Sequence, residues 1–189
     1  MTSPRRRVSA VIVAVAALAA GLATSALVTQ RGGKRAPGSP AMAPRFETLH
    51  RATSNRCSLQ AGELAAMPGS MRLEGACCSA MDLATYQRQV AGLLAYRAVP
   101  EVPDDPYSIP VLLAKELVGY DTIPLTAAQQ RVYDDAVARA KEHGPCCCAC
   151  WRWEAFGGQA RFLITRRQFT AVQVATVWDL EDGCGGAHA

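Results

Sequence analysis

Eight cysteines, Cys57, Cys77, Cys78, Cys146, Cys147, Cys148, Cys150 and Cys184, are the residues of this 189-residue chain whose type and spacing most clearly suit chemistry. They fall into two local signatures and two single positions. The signatures are Cys77-Cys78-Ser79-Ala80-Met81 and Cys146-Cys147-Cys148-Ala149-Cys150-Trp151-Arg152-Trp153. Thiolates are soft donors suited to Cu(I), Zn(II) or iron–sulfur clusters. Four of them can close a tetrahedral site. On a helix, Cys146 and Cys150, or Cys147 and Cys150, would share a face. In an extended segment, Cys146, Cys148 and Cys150 would point one way and Cys147 the other. No single regular conformation converges all four, so the spacing calls for a loop wrapping a metal or for two sites. Pro145 suits a first helical turn. The cluster would then lie at a helix start, where the positive dipole end favours thiolate.

Cys77, Cys78 and Cys184 are expected to join the cluster from elsewhere in the fold. Met81 stands three residues after Cys78, and a thioether beside thiolates favours Cu(I) over Zn(II). Met67 and Met71 form a four-residue pair nearby, although methionines more often fill gaps in cores. The expected metal ligands are therefore Cys77, Cys78, Met81, Cys146, Cys147, Cys148, Cys150 and Cys184, holding copper first and zinc second.

Two other readings of the same residues compete. An even number of cysteines in an exported domain normally forms disulfides. Four clustered and four dispersed cysteines would permit four bridges. Adjacent cysteines are hard to bridge at once, because each bond demands its own Cα separation and direction. The remaining reading is thiol–disulfide redox chemistry. Cys147-Cys148-Ala149-Cys150 contains the Cys-x-x-Cys spacing, but with a third cysteine inside and no strand–helix–strand context.

Other polar candidates have plainer explanations. His143 precedes Cys146 by three residues, yet a histidine at a helix C-terminus also complements the dipole. His50 and His188 are expected to be solvated. Trp151, Trp153 and Trp178 could shield a metal, but aromatic packing is commoner. Asp179, Glu181 and Asp182 read as a solvated helix end, and Asp104-Asp105-Pro106 as a turn. No phosphate loop, nucleophile elbow, His-Glu-x-x-His or dinucleotide fingerprint is present, so an enzyme is not the expected class.

The elements that must position the cysteines begin after a targeting segment. Arg5-Arg6-Arg7 precede an uncharged apolar run, Val8 to Val28. That run is long enough for a membrane anchor and also suits a secretory signal with Thr24-Ser25-Ala26 at its end. Residues 1–30 are read as signal peptide or single-pass anchor, and 31–45 as a Pro/Gly-rich linker. Residues 46–189 are read as the Cys-rich domain, facing the extracytoplasmic side. Seven basic residues and no acid lie in residues 1–45, so the net +4 leaves the remainder at −3. That remainder carries no basic run, which argues against nucleic acid as partner. The membrane and a metal transporter or metallochaperone are the expected partners.

Within the domain the periodicity predicts helices. One opens after Asp82, carries Leu83, Tyr86, Val90, Leu93, Leu94 and Arg97 at helical spacing, and stops before Pro100. Another starts at Ile109-Pro110, with Val111, Ala114, Leu117 and Val118 inward. Thr126/Gln129 and Thr170/Gln173 are capping boxes that open two more. The first of these is expected to reach about His143 and the second to end near Gly183. A further helix is expected around Phe156 to Arg166, weakened at its start by Gly157-Gly158. No stretch shows sustained strand alternation. The expected fold is mostly α: a small domain of five or six helices with Cys-rich loops, preceded by an N-terminal signal or anchor helix. Its expected role is soft-metal storage, delivery or detoxification, with a disulfide-stapled interaction module or a thiol redox protein as alternatives.

Overall fold

Three helices start where their capping residues direct. Asp82 accepts the Thr85 amide at 2.7 Å and opens a helix over Leu83–Leu93. Thr126 and Gln129 exchange hydrogen bonds around the start of Ala127–Arg139, as do Thr170 and Gln173 around Ala171–Glu181. Each box satisfies backbone donors that a helix start leaves free. Thr170 is exposed, so its cap acts without tertiary help. Thr170→Ala is expected to lower stability by about 1 kcal/mol, read as a shift of the urea midpoint at unchanged slope.

The computed structural model describes residues 42–185. The signal or anchor segment and residues 31–41 of the linker lie outside the described residues. The helices are α1 (Met42–Arg51), α2 (Ala61–Ala66), α3 (Leu83–Leu93), α4 (Val111–Gly119), α5 (Ala127–Arg139), α6 (Trp151–Arg166) and α7 (Ala171–Glu181). Short 3₁₀ turns follow α3 and α4 at Leu94–Tyr96 and Tyr120–Thr122. Strands β1 (Arg72–Glu74) and β2 (Ser108–Pro110) pair antiparallel, with Leu73 opposite Ile109. The domain is mostly helical. Among the described residues no helix is long and apolar enough to cross a membrane.

Several boundaries differ from the sequence expectation, each for a local reason. The helix expected to start at Ile109-Pro110 starts one residue past the proline, at Val111. Ile109 and Pro110 instead belong to β2, and Pro110 is the N-cap residue of α4. The strands are three residues each, too short for alternation to register. The helix after Thr126 ends at Arg139, and His143 lies beyond it with a positive φ of 50°. α6 begins at Trp151, five residues before Phe156. α1 begins at Met42, and its Arg45 reaches into the fold. Arg45 Nε donates to Asp105 at 2.7 Å. Asp105 is buried and also accepts from the Tyr86 hydroxyl at 2.9 Å and the Tyr107 amide at 2.9 Å. Asp105 is therefore a polar hub joining three segments as well as a turn residue.

α6 is the central element. Trp151, Ala155, Phe156, Ala160 and Ile164 are buried on it in one core with Val111, Ala114 and Leu117 of α4, and Leu163 packs in a second cluster with Leu93, Val102 and Val177. Gly158, the second glycine of the pair that weakens the helix locally, is what lets these two helices approach. A Cβ on Gly158 would collide with the Leu117 carbonyl and the Asp121 amide. Both are backbone atoms that cannot rotate away. The helix propensity lost at glycine, about 1 kcal/mol, is offset by close packing between α4 and α6.

Candidate metal centre

Four separate segments bring the cysteines together. The first is the loop after α1. Asn55 is buried there, donating from its side chain to the Gly75 carbonyl at 2.8 Å and accepting from Trp151 Nε1 at 3.0 Å. Those bonds fix Cys57 beside the start of α6. The Cys57 amide also donates to the Cys77 carbonyl at 3.4 Å. The second segment, Cys77 to Ser79, lies against Gly183 and Cys184. The Cys77 amide donates to the Gly183 carbonyl at 3.0 Å, and the Ser79 amide to the Cys184 carbonyl at 2.8 Å. The third is the loop ahead of α6, with Cys150 as the N-cap residue. The fourth is Asp182-Gly183-Cys184, where Asp182 accepts the Cys184 amide at 2.9 Å.

Gly183 is required by a neighbour. A Cβ there would occupy the position of the Arg152 guanidinium. The Asp-Gly-Cys-Gly sequence thus carries Cys184 past a buried arginine to the sulfurs.

All eight sulfurs form one continuous group. Cys57 is bridged to Cys78 and Cys147 to Cys184. Cys77, Cys146, Cys148 and Cys150 are free thiols. The Cα atoms of Cys147 and Cys184 are 7.0 Å apart, at the outer limit of what a bridge spans. Between these units the sulfurs lie close. Cys57 to Cys148 is 3.1 Å, Cys77 to Cys78 is 3.5 Å and Cys78 to Cys147 is 3.5 Å. Cys146 is 3.8 Å from Cys150 and 3.9 Å from Cys184, and Cys77 is 3.9 Å from Cys184. Cys146, Cys150 and Cys184 are buried, whereas Cys78 is exposed. The group therefore has a closed inner side and an edge that meets solvent at Cys78.

The electrostatics separate the free thiols. A hydrogen bond with Cys146 lowers the Cys77 thiol below its ordinary value, opposed by burial and helped by the charge of Arg152. For Cys146 the bond from Cys150 acts downward, but the bond to Cys77 and burial prevail and push it up to about 12. Cys150 is pushed up by its bond to Cys146 and by burial. Cys148 is raised by burial. A soft cation must therefore displace protons from most of these thiols, and Cys77 is the one poised to ionise first.

Arg152 is a site residue that inspection of the sequence missed. It is 1% exposed. Its guanidinium lies 5.2 Å from the Trp151 ring centre and 5.3 Å from that of Phe156. It donates to the backbone carbonyls of Glu181 at 2.9 Å and Pro106, and its Nε has no hydrogen-bond partner. No carboxylate pairs with it among the described residues. A buried cation without an anionic partner is costly. Arg152 favours the ionised forms of Cys77, Cys146 and Cys148, and also that of the buried Glu181 carboxyl. Its position two residues after Cys150 was the available signal.

Of the expected ligands, Cys77, Cys78, Cys146, Cys147, Cys148, Cys150 and Cys184 are brought together, and Cys57, absent from the expected set, joins them. Met81 is buried in a different cluster with Leu49, Tyr86 and Tyr107, where packing accounts for it. His143 is exposed, and no histidine stands in any of the sulfur groups. Trp151 and Trp178 are core residues, and Trp153 is partly exposed over Gly144. Glu181 is not part of a solvated helix end. It is fully buried and accepts from Gln159 Nε2 at 2.6 Å. Asp179 caps the Lys141 amide at 2.9 Å. Comparison of the chain with protein-family models, curated proteins and solved structures found no match.

Proposed function

We propose that this protein binds a soft metal ion, copper(I) before zinc, on the extracytoplasmic side of a membrane, for storage, delivery or detoxification. The observation that carries this reading is the convergence of eight sulfurs from four chain segments into one group. Stapling a fold places cysteine pairs apart, each pair joining its own two elements. Here all of them are spent on one place. Domains of this size rarely need such reinforcement. The apolar run Val8 to Val28 supports export, as does the presence of disulfides. The exposed Cys78 supplies a point of access, through which a partner transporter or metallochaperone could exchange metal by thiolate transfer. The ion is cargo, so the residues present need only bind and release it.

Two further readings remain attached to particular observations. The bridges Cys57–Cys78 and Cys147–Cys184 favour a disulfide-stapled module. The 3.1 Å approach of the Cys148 thiol to Cys57 favours thiol–disulfide exchange.

The deciding measurement is elemental mass spectrometry of the full chain from its native compartment, with free thiols titrated on the same denatured and chelated sample. The metal reading expects copper or zinc near or above one ion per chain, with four or more free thiols. No metal and no free thiols would replace it with the stapled module. The double variant Cys147→Ser, Cys148→Ser is expected to lower the metal content while the far-ultraviolet helical signal persists. Unchanged content would remove that cluster from the site.

A further inference from the structure

The eight sulfurs are not an undifferentiated pool. Four groups of three have all their sulfurs within 4.8 Å of one another: Cys57/Cys78/Cys148, Cys77/Cys78/Cys184, Cys146/Cys147/Cys184 and Cys146/Cys148/Cys150. Each group shares one sulfur with the next. Cys78 joins the first to the second, Cys184 the second to the third, Cys146 the third to the fourth, and Cys148 the fourth back to the first. The groups thus close into a ring. Four sulfurs, Cys78, Cys146, Cys148 and Cys184, each belong to two groups. The other four, Cys57, Cys77, Cys147 and Cys150, each belong to one. Every group contains two shared sulfurs and one unshared.

We infer from this juxtaposition that the fully reduced chain binds four copper(I) ions as a ring, one in each triad, with Cys78, Cys146, Cys148 and Cys184 bridging and Cys57, Cys77, Cys147 and Cys150 terminal. The inference rests on the soft-metal reading above and gives it an ion, a number and a connectivity. Three sulfurs per position suit copper(I), which is stable at three-coordination with thiolates. Structural zinc takes four donors. The unbridged edges with a measured length are of a suitable size: Cys77 lies 3.5 Å from Cys78 and 3.9 Å from Cys184, and Cys146 lies 3.8 Å from Cys150, whereas an ion about 2.3 Å from each of three sulfurs needs edges of about 4 Å. Two triads, Cys57/Cys78/Cys148 and Cys146/Cys147/Cys184, each contain a disulfide, whose two sulfurs must separate on reduction before an ion can enter. Eight thiols release eight protons on taking up four singly charged ions, leaving a tetra-anion. Buried Arg152, two residues past Cys150, carries a positive charge, and Cys78 is exposed.

Both disulfides lie inside triads, each tying a shared sulfur to the unshared sulfur of its own group. In the oxidised chain only Cys146/Cys148/Cys150 consists wholly of free thiols. Opening the ring requires each disulfide to accept two electrons and two protons. One molecule of a dithiol reductant per bridge supplies them and leaves as its own cyclic disulfide.

The test is anaerobic titration of the full chain, reduced with excess dithiothreitol and desalted, with copper(I) delivered as its acetonitrile complex. The copper retained against a chelating competitor is measured, together with sulfur and copper neighbours by X-ray absorption. The ring expects a plateau at four ions, three sulfurs around each copper, and copper–copper scattering. Two variants sharpen it. Cys57→Ser and Cys78→Ser abolish the same disulfide, but the first removes a terminal sulfur and the second a bridge. The plateau is expected to fall from four to three in Cys57→Ser and from four to two in Cys78→Ser. Equal loss in the two folded variants, or a wild-type plateau at one or two ions, would overturn the ring while leaving soft-metal binding intact. No copper retained by the reduced wild-type chain would overturn both.

Discussion

Arg152→Ala is expected to destabilise the metal-free domain by about 3 kcal/mol and the copper-loaded domain by more. Two effects oppose each other in the metal-free protein. Removing the guanidinium relieves the cost of a buried charge whose Nε has no partner. It also strips the donors from the carbonyls of Glu181 and Pro106, at about 1–3 kcal/mol for each group left unsatisfied. It further empties the space beside Trp151 and Phe156, where the cation meets both rings. The losses outweigh the relief because a methyl group can neither fill that space nor admit enough water to serve both carbonyls. With metal bound, an anionic centre additionally loses its buried counter-charge. Urea unfolding of wild type and variant, with and without copper(I), reads both quantities. If the midpoints shift equally in the two states, Arg152 supports the fold and has no electrostatic role at the sulfurs. Arg152→Lys is a useful companion, since it keeps the charge without the fork that spans two carbonyls.

Glu181→Gln is expected to stabilise the protein above about pH 5 and to leave it unchanged in more acidic solution. Burial pushes the Glu181 carboxyl up to about 8, against the lowering effects of its bond from Gln159 and the charge of Arg152. Its ordinary value is 4.5. Below 4.5 the carboxyl is protonated in both folded and unfolded chains, so the stability it permits is fully present. Between 4.5 and 8 the unfolded chain releases the proton and the folded chain keeps it. Stability then falls as pH rises, by roughly tenfold in the folding constant per pH unit. Above 8 both forms are ionised and the loss is complete. Glutamine removes that slope. Its amide also offers a donor in a region where Gln159 Oε1 lacks a partner. The neighbouring groups, Arg152 and the Tyr96 hydroxyl, which burial raises first and Glu181 second, are present in both proteins, as are the thiols. The difference between the two stability profiles over pH 4–9 therefore isolates Glu181. Parallel profiles would show that this carboxyl is already ionised in the folded state near neutrality.

The helices were legible wherever a local rule acts. Asp82, Thr126 with Gln129, and Thr170 with Gln173 satisfy their own neighbours' amides. Their effect is therefore written within four residues and survives without tertiary context. Spacing likewise marked Val111, Ala114 and Leu117 as an inner face. The early start of α6 was not legible, because Gly157-Gly158 opposes a helix locally and only the approach of α4 makes glycine favourable there. Nor were β1 and β2, whose partners are more than thirty residues apart in sequence.

Composition and spacing alone were enough to mark the Cys146–Cys150 segment as unusual and to divide the basic N-terminal region from an acidic remainder. Pro145 suggests a helix opening over these cysteines, but they form a loop, and the helix starts only at Trp151 with Cys150 as its N-cap residue. Only folding decided that Cys57 belongs with the other seven and that Met81 packs elsewhere. Folding also decided that Arg152 is buried without a carboxylate partner and that Glu181 lies in the core. The reason is range. A cap, a turn or an amphipathic stripe is an interaction among neighbours in the chain. A group of eight sulfurs drawn from positions 57 to 184, and a buried arginine beside them in sequence, exist only once long-range packing brings those segments together.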